Sequence, residues 1–111
     1  MNAVLVDSSV WIEYFRGDNS LVALSKLIEN NLACTNELIL TELLPAVLRQ
    51  RERRLAELLK TLRKYPLRID WAELRSWRSV NLKKGFNNIG IPDLLIAQNC
   101  LQNHLQIFSR D

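Results

Sequence analysis

The chain opens with a short apolar run, Ala3-Val4-Leu5-Val6, that leads directly into a carboxylate, Asp7, and then into Ser8 and Ser9. A run this short and this uniformly apolar predicts a strand that is buried on both faces, as in a parallel sheet. Residues 10–15 predict a helix that stops at Gly17. Asp7 therefore follows the carboxyl end of a strand, where open α/β sheets bind their ligands. These residues alone are equally compatible with Asp7 or Ser8 simply capping the helix.

Strand-like and helix-like patterns alternate along the rest of the chain. Further strands are predicted at residues 32–35, 66–70 and 106–109, and further helices at 21–28, 36–47, 55–62, 71–82 and from 91 onward. Asn19 or Ser20 is expected to cap the second helix and Thr35 or Asn36 the third. In the fifth helix, Trp71, Leu74 and Trp77 are expected in the core. This alternation predicts an α/β fold with a central parallel sheet, in which the carboxyl ends of all strands share one edge. At 111 residues the chain is expected to form a single domain, residues 1–111.

The composition excludes several classes of protein. A hydrophobic content of 48% with three Gly and three Pro argues against disorder. No apolar run approaches the roughly 18 residues that span a bilayer, and no signal peptide is apparent, so no membrane contact is expected. Cys34 and Cys100 lie among apolar neighbours and predict buried free thiols in a reducing cytoplasm. The absence of a Gly-rich phosphate loop, a CxxC pair or a Gly-x-Ser-x-Gly motif argues against kinases, zinc modules and serine hydrolases.

Two further acidic residues stand in unusual positions. Glu42 interrupts the apolar stripe of the third predicted helix, and a buried carboxylate needs a partner, a metal ion or a water-filled cleft. The alternative is that Glu42 lies at the edge of the stripe and reaches solvent or pairs with Arg49. Pro45 is expected to kink the helix just beyond Glu42. Asp93 follows Pro92 in the first turn of the last helix, which is also what an ordinary helix start looks like.

The predicted topology brings these acids together. Asp7 and Asp111 follow strands, Asp93 begins the helix before the last strand, and Glu42 reaches in from the third helix. Four neighbouring carboxylates repel one another unless protons or divalent cations neutralise them. Oxygen ligands without a His or Cys set favour Mg²⁺ or Mn²⁺ over zinc.

The charge of the remaining surface suits a polyanionic ligand. The net charge is +3, and without the four acids 15 basic residues face eight acidic ones, a balance of +7. A basic body around an acidic focus fits a polyanionic substrate held over metal ions. The candidates to contact the phosphates of such a substrate are Arg49, Arg51, Lys83 and Lys84, and the arginines could equally form a docking face for an acidic partner. An ordinary solvated helix face explains such charges equally well.

Four stretches of the sequence together resemble the PIN domain, and more narrowly the VapC-type toxins of toxin–antitoxin pairs. They are residues 4–12 (VLVDSSVWI), the helical Glu42, residues 91–97 (IPDLLIA) and residues 107–111 (IFSRD). The resemblance implies a three-layer α/β/α sandwich and a Mg²⁺- or Mn²⁺-dependent endoribonuclease that cuts tRNA or other structured RNA. It further implies Asp7 and Asp93 as the main metal ligands, Glu42 and Asp111 as the remaining catalytic acids, and Ser9 as a residue that orients Asp7 or a water.

The same resemblance implies protein partners and one departure. Family members usually form homodimers and are inhibited by an antitoxin whose Arg enters the acidic pocket. They normally continue beyond the fourth acid, whereas this chain ends at Asp111, so a C-terminal element is expected to be missing. Two alternatives remain open: a PIN-like module that binds RNA without cutting it, and an aspartyl-phosphate domain with Asp7 as nucleophile. Asp7 has no adjacent acid, and no Lys follows the fourth strand, which weighs against the second.

Overall fold

The computed structural model describes residues 2–17 and 22–109 and contains a four-stranded, all-parallel sheet. The strands in chain order are β1 (Val4–Val6), β2 (Ala33–Thr35), β3 (Arg63–Lys64) and β4 (Gln106–Phe108). Their order across the sheet is β3-β2-β1-β4, so the chain builds outward on one side of β1 and then crosses to the other side. This reversal makes the carboxyl end of β1 the topological switch point of the sheet.

Helices connect the strands and confirm the predicted α/β class. They are α1 (Ser8–Phe15), α2 (Val22–Glu29), α3 (Glu37–Arg49), α4 (Arg53–Thr61), α5 (Trp71–Lys83) and α6 (Ile91–Asn103). The residues expected to cap the second helix, Asn19 and Ser20, lie outside the described residues. Of the helices described, none has the length and apolar character that a bilayer crossing requires.

Strand β1 lies at the centre of the hydrophobic core. It pairs with β2 and β4 on its two sides, and Leu5 and Val6 are completely buried. Val10 and Trp11 of α1 are likewise completely inaccessible, as is Leu43 of α3. Burial on both faces explains why β1 is uniformly apolar and does not alternate polar and apolar residues.

The third strand lies earlier in the chain than predicted. A strand was expected at residues 66–70, but β3 is Arg63–Lys64 and residues 65–70 have no regular structure. The last main-chain bond toward β2 runs from the Tyr65 N–H to the Thr35 carbonyl at 3.0 Å. Pro66 has no N–H with which to continue the ladder, so regular pairing ends just before it.

Side-chain amides of α6 hold residues 66–70 in place of a strand ladder. The contacts are Gln98 with both main-chain polar groups of Asp70 (3.1 and 3.2 Å), Asn99 Nδ2 with the Pro66 carbonyl (3.1 Å) and Gln102 Nε2 with the Arg68 carbonyl (2.8 Å). We refer to residues 66–70 as the amide-bound segment. Asp70 then caps α5 by accepting a hydrogen bond from the Glu73 N–H at 3.1 Å.

Asn99 also joins α6 to the beginning of α3. Its Oδ1 accepts a hydrogen bond from Asn36 Nδ2 at 3.1 Å, and the two residues are 1% and 0% exposed. Asn36 is the N-cap of α3, because its Oδ1 accepts from the Ile39 N–H at 2.9 Å. Of the two residues expected to cap this helix, Thr35 and Asn36, the structure therefore selects Asn36. The bond between the two amides fixes the first turn of α3 against the middle of α6.

Two expectations about side-chain burial have different outcomes. Trp71 was assigned to the core but is 55% exposed, whereas Leu74 is buried and Trp77 half-buried. Helix α5 packs mainly against α6, and one helical neighbour covers only part of its apolar surface. Cys34 and Cys100 are buried free thiols, as predicted.

Candidate functional site

Asp7 lies at the junction of β1 and α1. It is the N-cap residue of α1, its Oδ1 accepts a hydrogen bond from the Ser8 N–H at 2.8 Å, and Ser9 Oγ donates to its Oδ2 at 3.4 Å. With Asp7 assigned to a metal site, the sequence leaves the capping of α1 to Ser8 or Ser9, and this prediction is wrong. The cap position falls on the residue that ends the strand, where a carboxylate meets the positive end of the helix dipole. Asp7 is only half-buried, so it can cap α1 and still face a ligand.

Glu42 lies in the second turn of α3 and is exposed. The prediction that it would be buried within the apolar stripe is therefore wrong, because it flanks the buried face on which Leu43 lies. The alternative, a position at the edge of the stripe, describes the structure better. Helix α3 continues through Pro45 to Arg49 without interruption.

Asp93 is the third residue of α6, after the N-cap Gly90. Its Oδ2 accepts a hydrogen bond from the Gly90 N–H at 3.2 Å. This contact satisfies one of the free N–H groups at the helix start and fixes the orientation of the carboxylate. Within the described part of the chain, Oδ1 of Asp93 accepts no hydrogen bond, and the residue is exposed. Asp93 therefore keeps one oxygen available to a ligand.

The electrostatics of Glu42 connect the three acids. Although Glu42 is exposed overall, partial desolvation by the surrounding protein is the main cause that raises its pKa above the usual value, and the negative charges of Asp7 and then Asp93 raise it further. Asp7 directly follows β1, Glu42 is on α3 and Asp93 is in the first turn of α6, so three separate elements direct carboxylates to one region. Of the four predicted catalytic acids, the structure brings these three within electrostatic range of one another.

Asp7, Glu42 and Asp93 are widely spaced. Within residues 2–17 and 22–109, no three acidic, His or Cys side chains lie close enough to surround one metal ion. The donors are all carboxylate oxygens, which suit Mg²⁺ or Mn²⁺, and a cation would offset the repulsion that raises the pKa of Glu42. The residues thus fit such an ion by donor chemistry.

Asp111, the fourth predicted acid, lies outside the described residues. The end of β4 is nevertheless defined, because the Phe108 carbonyl accepts a hydrogen bond from the Asp7 N–H at 3.0 Å. Strand β4 therefore ends beside Asp7. The assignment of Asp111 as a catalytic acid stays a prediction.

The predicted RNA-contacting residues fall at three places. Arg49 ends α3 and shares an open groove with Glu42, Thr41 and Gln50. The three others are exposed: Arg51 lies between α3 and α4 with a positive φ of 59°, Lys83 ends α5, and Lys84 caps that helix. The structure thus places Arg49 beside an acidic site residue, and RNA contact by all four stays a prediction.

A cavity of about 230 Å³ lies between α1 and α3 and includes Glu42 in its lining. We call it the α1–α3 cavity. The residues around it that the sequence analysis did not single out include Arg16, Gln50 and Glu52. Their sequence signal is weak, since each follows the end of a helix and belongs to no motif.

Comparison with known proteins identifies the fold and the family. The solved crystal structure of VapBC2 from Rickettsia felis bound to a DNA fragment from their promoter contains a chain similar to this one, with a TM-score of 0.76 and 20% sequence identity. The alignment covers 98% of this chain and 87% of that chain. No curated protein matches the sequence significantly. Residues 4–111 match the PIN domain family, and the chain therefore belongs to that family.

Proposed function

We propose that this protein is a Mg²⁺- or Mn²⁺-dependent endoribonuclease and the toxin of a toxin–antitoxin pair. The observation that carries the proposal is the position of Asp7 at the carboxyl end of β1, where the Ser8 N–H and Ser9 Oγ orient its carboxylate. The charges of Asp7 and Asp93 also contribute to the raised pKa of Glu42. Membership of the PIN family and a fold shared with a chain of a VapBC assembly support it. The position at the topological switch point is where an α/β sheet binds its ligand.

Each acid has a role that its surroundings support. Asp7 and Asp93 would hold the cation, since main-chain N–H groups orient both carboxylates. Ser9 would keep Oδ2 of Asp7 in position through its 3.4 Å hydrogen bond. Glu42, whose pKa is raised, would take up the proton of the attacking water at its carboxylate. When bound, the ion would supply positive charge to the scissile phosphate.

The proposed substrate is RNA, with structured RNA such as tRNA as one candidate. The groove shared by Glu42 and Arg49 supports this, since a phosphate held by the guanidinium would lie along α3 beside the acids. Arg51, Lys83 and Lys84 would extend the phosphate contacts. Such contacts position the strand without reading its sequence, so the rate should fall as salt rises.

The proposed protein partners are an antitoxin and a second copy of the chain. The VapBC2 assembly, in which the similar chain occurs together with its partner, supports the antitoxin. Coexpression with the product of a neighbouring reading frame, followed by size-exclusion chromatography with light scattering, would detect both complexes. A monomer that coelutes with no such product would contradict this part of the proposal.

The nuclease activity can be tested with purified protein and total tRNA or a structured RNA. We expect cleavage with Mg²⁺ or Mn²⁺, none with chelator, and a loss of at least about 100-fold in Asp7→Asn and Asp93→Asn, because each variant removes a charge from the proposed metal site. Glu42→Gln should lose activity as well. Glu57→Gln removes an exposed carboxylate on α4, and this matched control should cut at the wild-type rate.

The wide spacing of Asp7, Glu42 and Asp93 favours one alternative, a PIN-like module that binds RNA without cutting it. Calorimetric titration with Mn²⁺ separates the two functions. A nuclease should bind the ion with an affinity that Asp7→Asn weakens, whereas a module that only binds RNA need not bind it at all. Undiminished RNA cleavage by Asp7→Asn or Asp93→Asn would refute the proposed active site.

A further inference from the structure

The α1–α3 cavity has apolar walls. They are formed by Ile12 and Phe15 of α1 and by Leu43, Ala46 and Val47 of α3. Leu43 and Val47 are buried, and Phe15 packs on the completely buried Trp11 at a ring distance of 5.9 Å, so this part of the wall belongs to the core, whereas Ile12 and Ala46 are exposed. The volume, about 230 Å³, lies below the roughly 300–1,000 Å³ of sites that bury a drug-sized ligand. One flat ring system fits this space better than a whole nucleotide does.

The polar side chains around the cavity are not paired to one another within the described residues. Arg16, Gln50 and Glu52 contribute a guanidinium, an amide and a carboxylate to its lining. The ion pair found in the described part of the chain joins Lys64 and Glu37, and none of these three side chains takes part in it. Glu52 is the N-cap residue of α4 but makes no capping hydrogen bond. Donors and acceptors thus surround an apolar space without being paired to one another.

The cavity is continuous with the acidic cluster. Glu42 lines both the cavity and the groove that carries Arg49. Because Glu42 itself lines the cavity, a ligand at that end lies beside its carboxylate. Gln50, the C-cap residue of α3, is eight positions farther along, about 12 Å of helix. Proteins that read single-stranded RNA turn a base out, stack it on aromatic or guanidinium groups and bond its edge.

We propose that the α1–α3 cavity binds one unpaired nucleobase of the RNA, next to the phosphate that is cut. This inference rests on the proposed function and adds a determinant of sequence preference to it. The base would lie against Phe15, and Arg16, Gln50 and Glu52 would meet its edge. Guanine is the expected base, because a carboxylate can accept its N1–H and N2–H groups while an Arg donates to O6 and N7.

Binding without cleavage provides the test. Fluorescently labelled RNA hexamers that differ only at one central position (guanine, adenine, cytosine, uracil or an abasic sugar) are titrated by anisotropy in the presence of chelator. We expect the wild type to bind the guanine hexamer at least about fivefold more tightly than the abasic one, as stacking of a single base supplies. Ala46→Leu fills the cavity and should reduce this ratio below about twofold. Ala72→Leu, at an exposed position of α5, should leave the ratio unchanged.

A second variant makes the test independent of whether Ala46→Leu folds. Glu52→Gln keeps the volume of the side chain and should lower the preference for guanine over adenine, even if Ala46→Leu does not fold. Equal wild-type binding of the guanine and abasic hexamers would overturn the inference, and the apolar walls would then suit a side chain of a partner protein. An unchanged ratio in Ala46→Leu would overturn it as well. Because no cleavage is measured, a failure of the nuclease proposal is seen separately, as intact RNA with Mg²⁺.

Discussion

The hydrogen bond between Asn36 and Asn99 leads to a quantitative prediction for the variant Asn99→Ala. Asn99 accepts from Asn36 Nδ2 and donates to the Pro66 carbonyl, both at 3.1 Å. Removing its amide leaves the Nδ2 group of Asn36, a residue that is 0% exposed, without an acceptor. Pro66 is exposed, so its carbonyl can turn to water. The loss therefore consists of one buried donor left unpaired and one partly exposed hydrogen bond.

The magnitude follows from these two losses. A buried unpaired polar group costs about 1–3 kcal/mol, and an ordinary hydrogen bond contributes about 0.5–1.5 kcal/mol. Asn99→Ala should therefore lower the free energy of unfolding by about 2–4 kcal/mol. For a domain of this size that corresponds to a fall in Tm of roughly 10 °C or more. Chemical denaturation in urea, monitored by circular dichroism, measures the free energy directly.

Two controls isolate the Asn36–Asn99 bond. Gln102→Ala removes a similar amide-to-carbonyl bond, at 2.8 Å, from an exposed position of the same helix and should cost less than about 1 kcal/mol. Asn36→Ser keeps a capping oxygen for the Ile39 N–H but removes the amide that reaches Asn99. The double variant Asn36→Ser/Asn99→Ala should show a coupling energy of at least about 0.5 kcal/mol. If Asn99→Ala lowered the free energy of unfolding by less than about 0.5 kcal/mol, or if the effects of the two substitutions were additive, the reasoning would be refuted.

Two further predictions concern ionisable groups. Burial raises the pKa of Cys34 to about 12 and that of Cys100 to about 11. Neither thiol should therefore react with a disulfide reagent at pH 8 until the chain unfolds. Rapid labelling of the native protein would contradict this prediction. The pKa of Glu42 is raised in the folded state, so its contribution to stability should decline as pH rises through the window above the ordinary value of 4.5. Glu42→Gln should accordingly match or exceed the wild-type Tm at pH 7 without added metal, and a lower Tm would count against a repulsive cluster.

The elements with a strong local signal could be predicted from the sequence. Residues 4–6 are uniformly apolar and end at Asp7, and residues 91–93 combine a proline with an acid at a helix start. The third strand could not be located in this way. Residues 66–70 alternate apolar and polar side chains, as a half-buried strand does, whereas β3 is the charged pair Arg63–Lys64. Edge strands are commonly short and charged, so they carry almost no hydrophobic pattern.

The site depends on relations that are remote in sequence. Asn36 and Asn99 are 63 positions apart, and no periodicity predicts that their amides meet. The exposure of Glu42 was misjudged because a stripe of apolar residues does not show where its edge lies. The lining of the α1–α3 cavity is hidden for a similar reason, since Arg16 becomes a neighbour of Glu42 and Gln50 only when α1 packs on α3.

In the amide-bound segment, protection from hydrogen exchange and order of the backbone are expected to differ, although the two properties are often treated as one. Its carbonyls at Pro66, Arg68 and Asp70 all accept hydrogen bonds from α6, but in the described part of the chain the Asp70 N–H is the one main-chain donor of residues 66–70 that is bonded. Amide hydrogen exchange reports on N–H groups alone, so Leu67 and Ile69 should exchange as quickly as residues of an open loop. NMR relaxation measurements should nevertheless find this backbone nearly as ordered as α6. Rapid exchange in this segment would show that its carbonyls, and not its N–H groups, make the hydrogen bonds, and it would not indicate motion of the backbone.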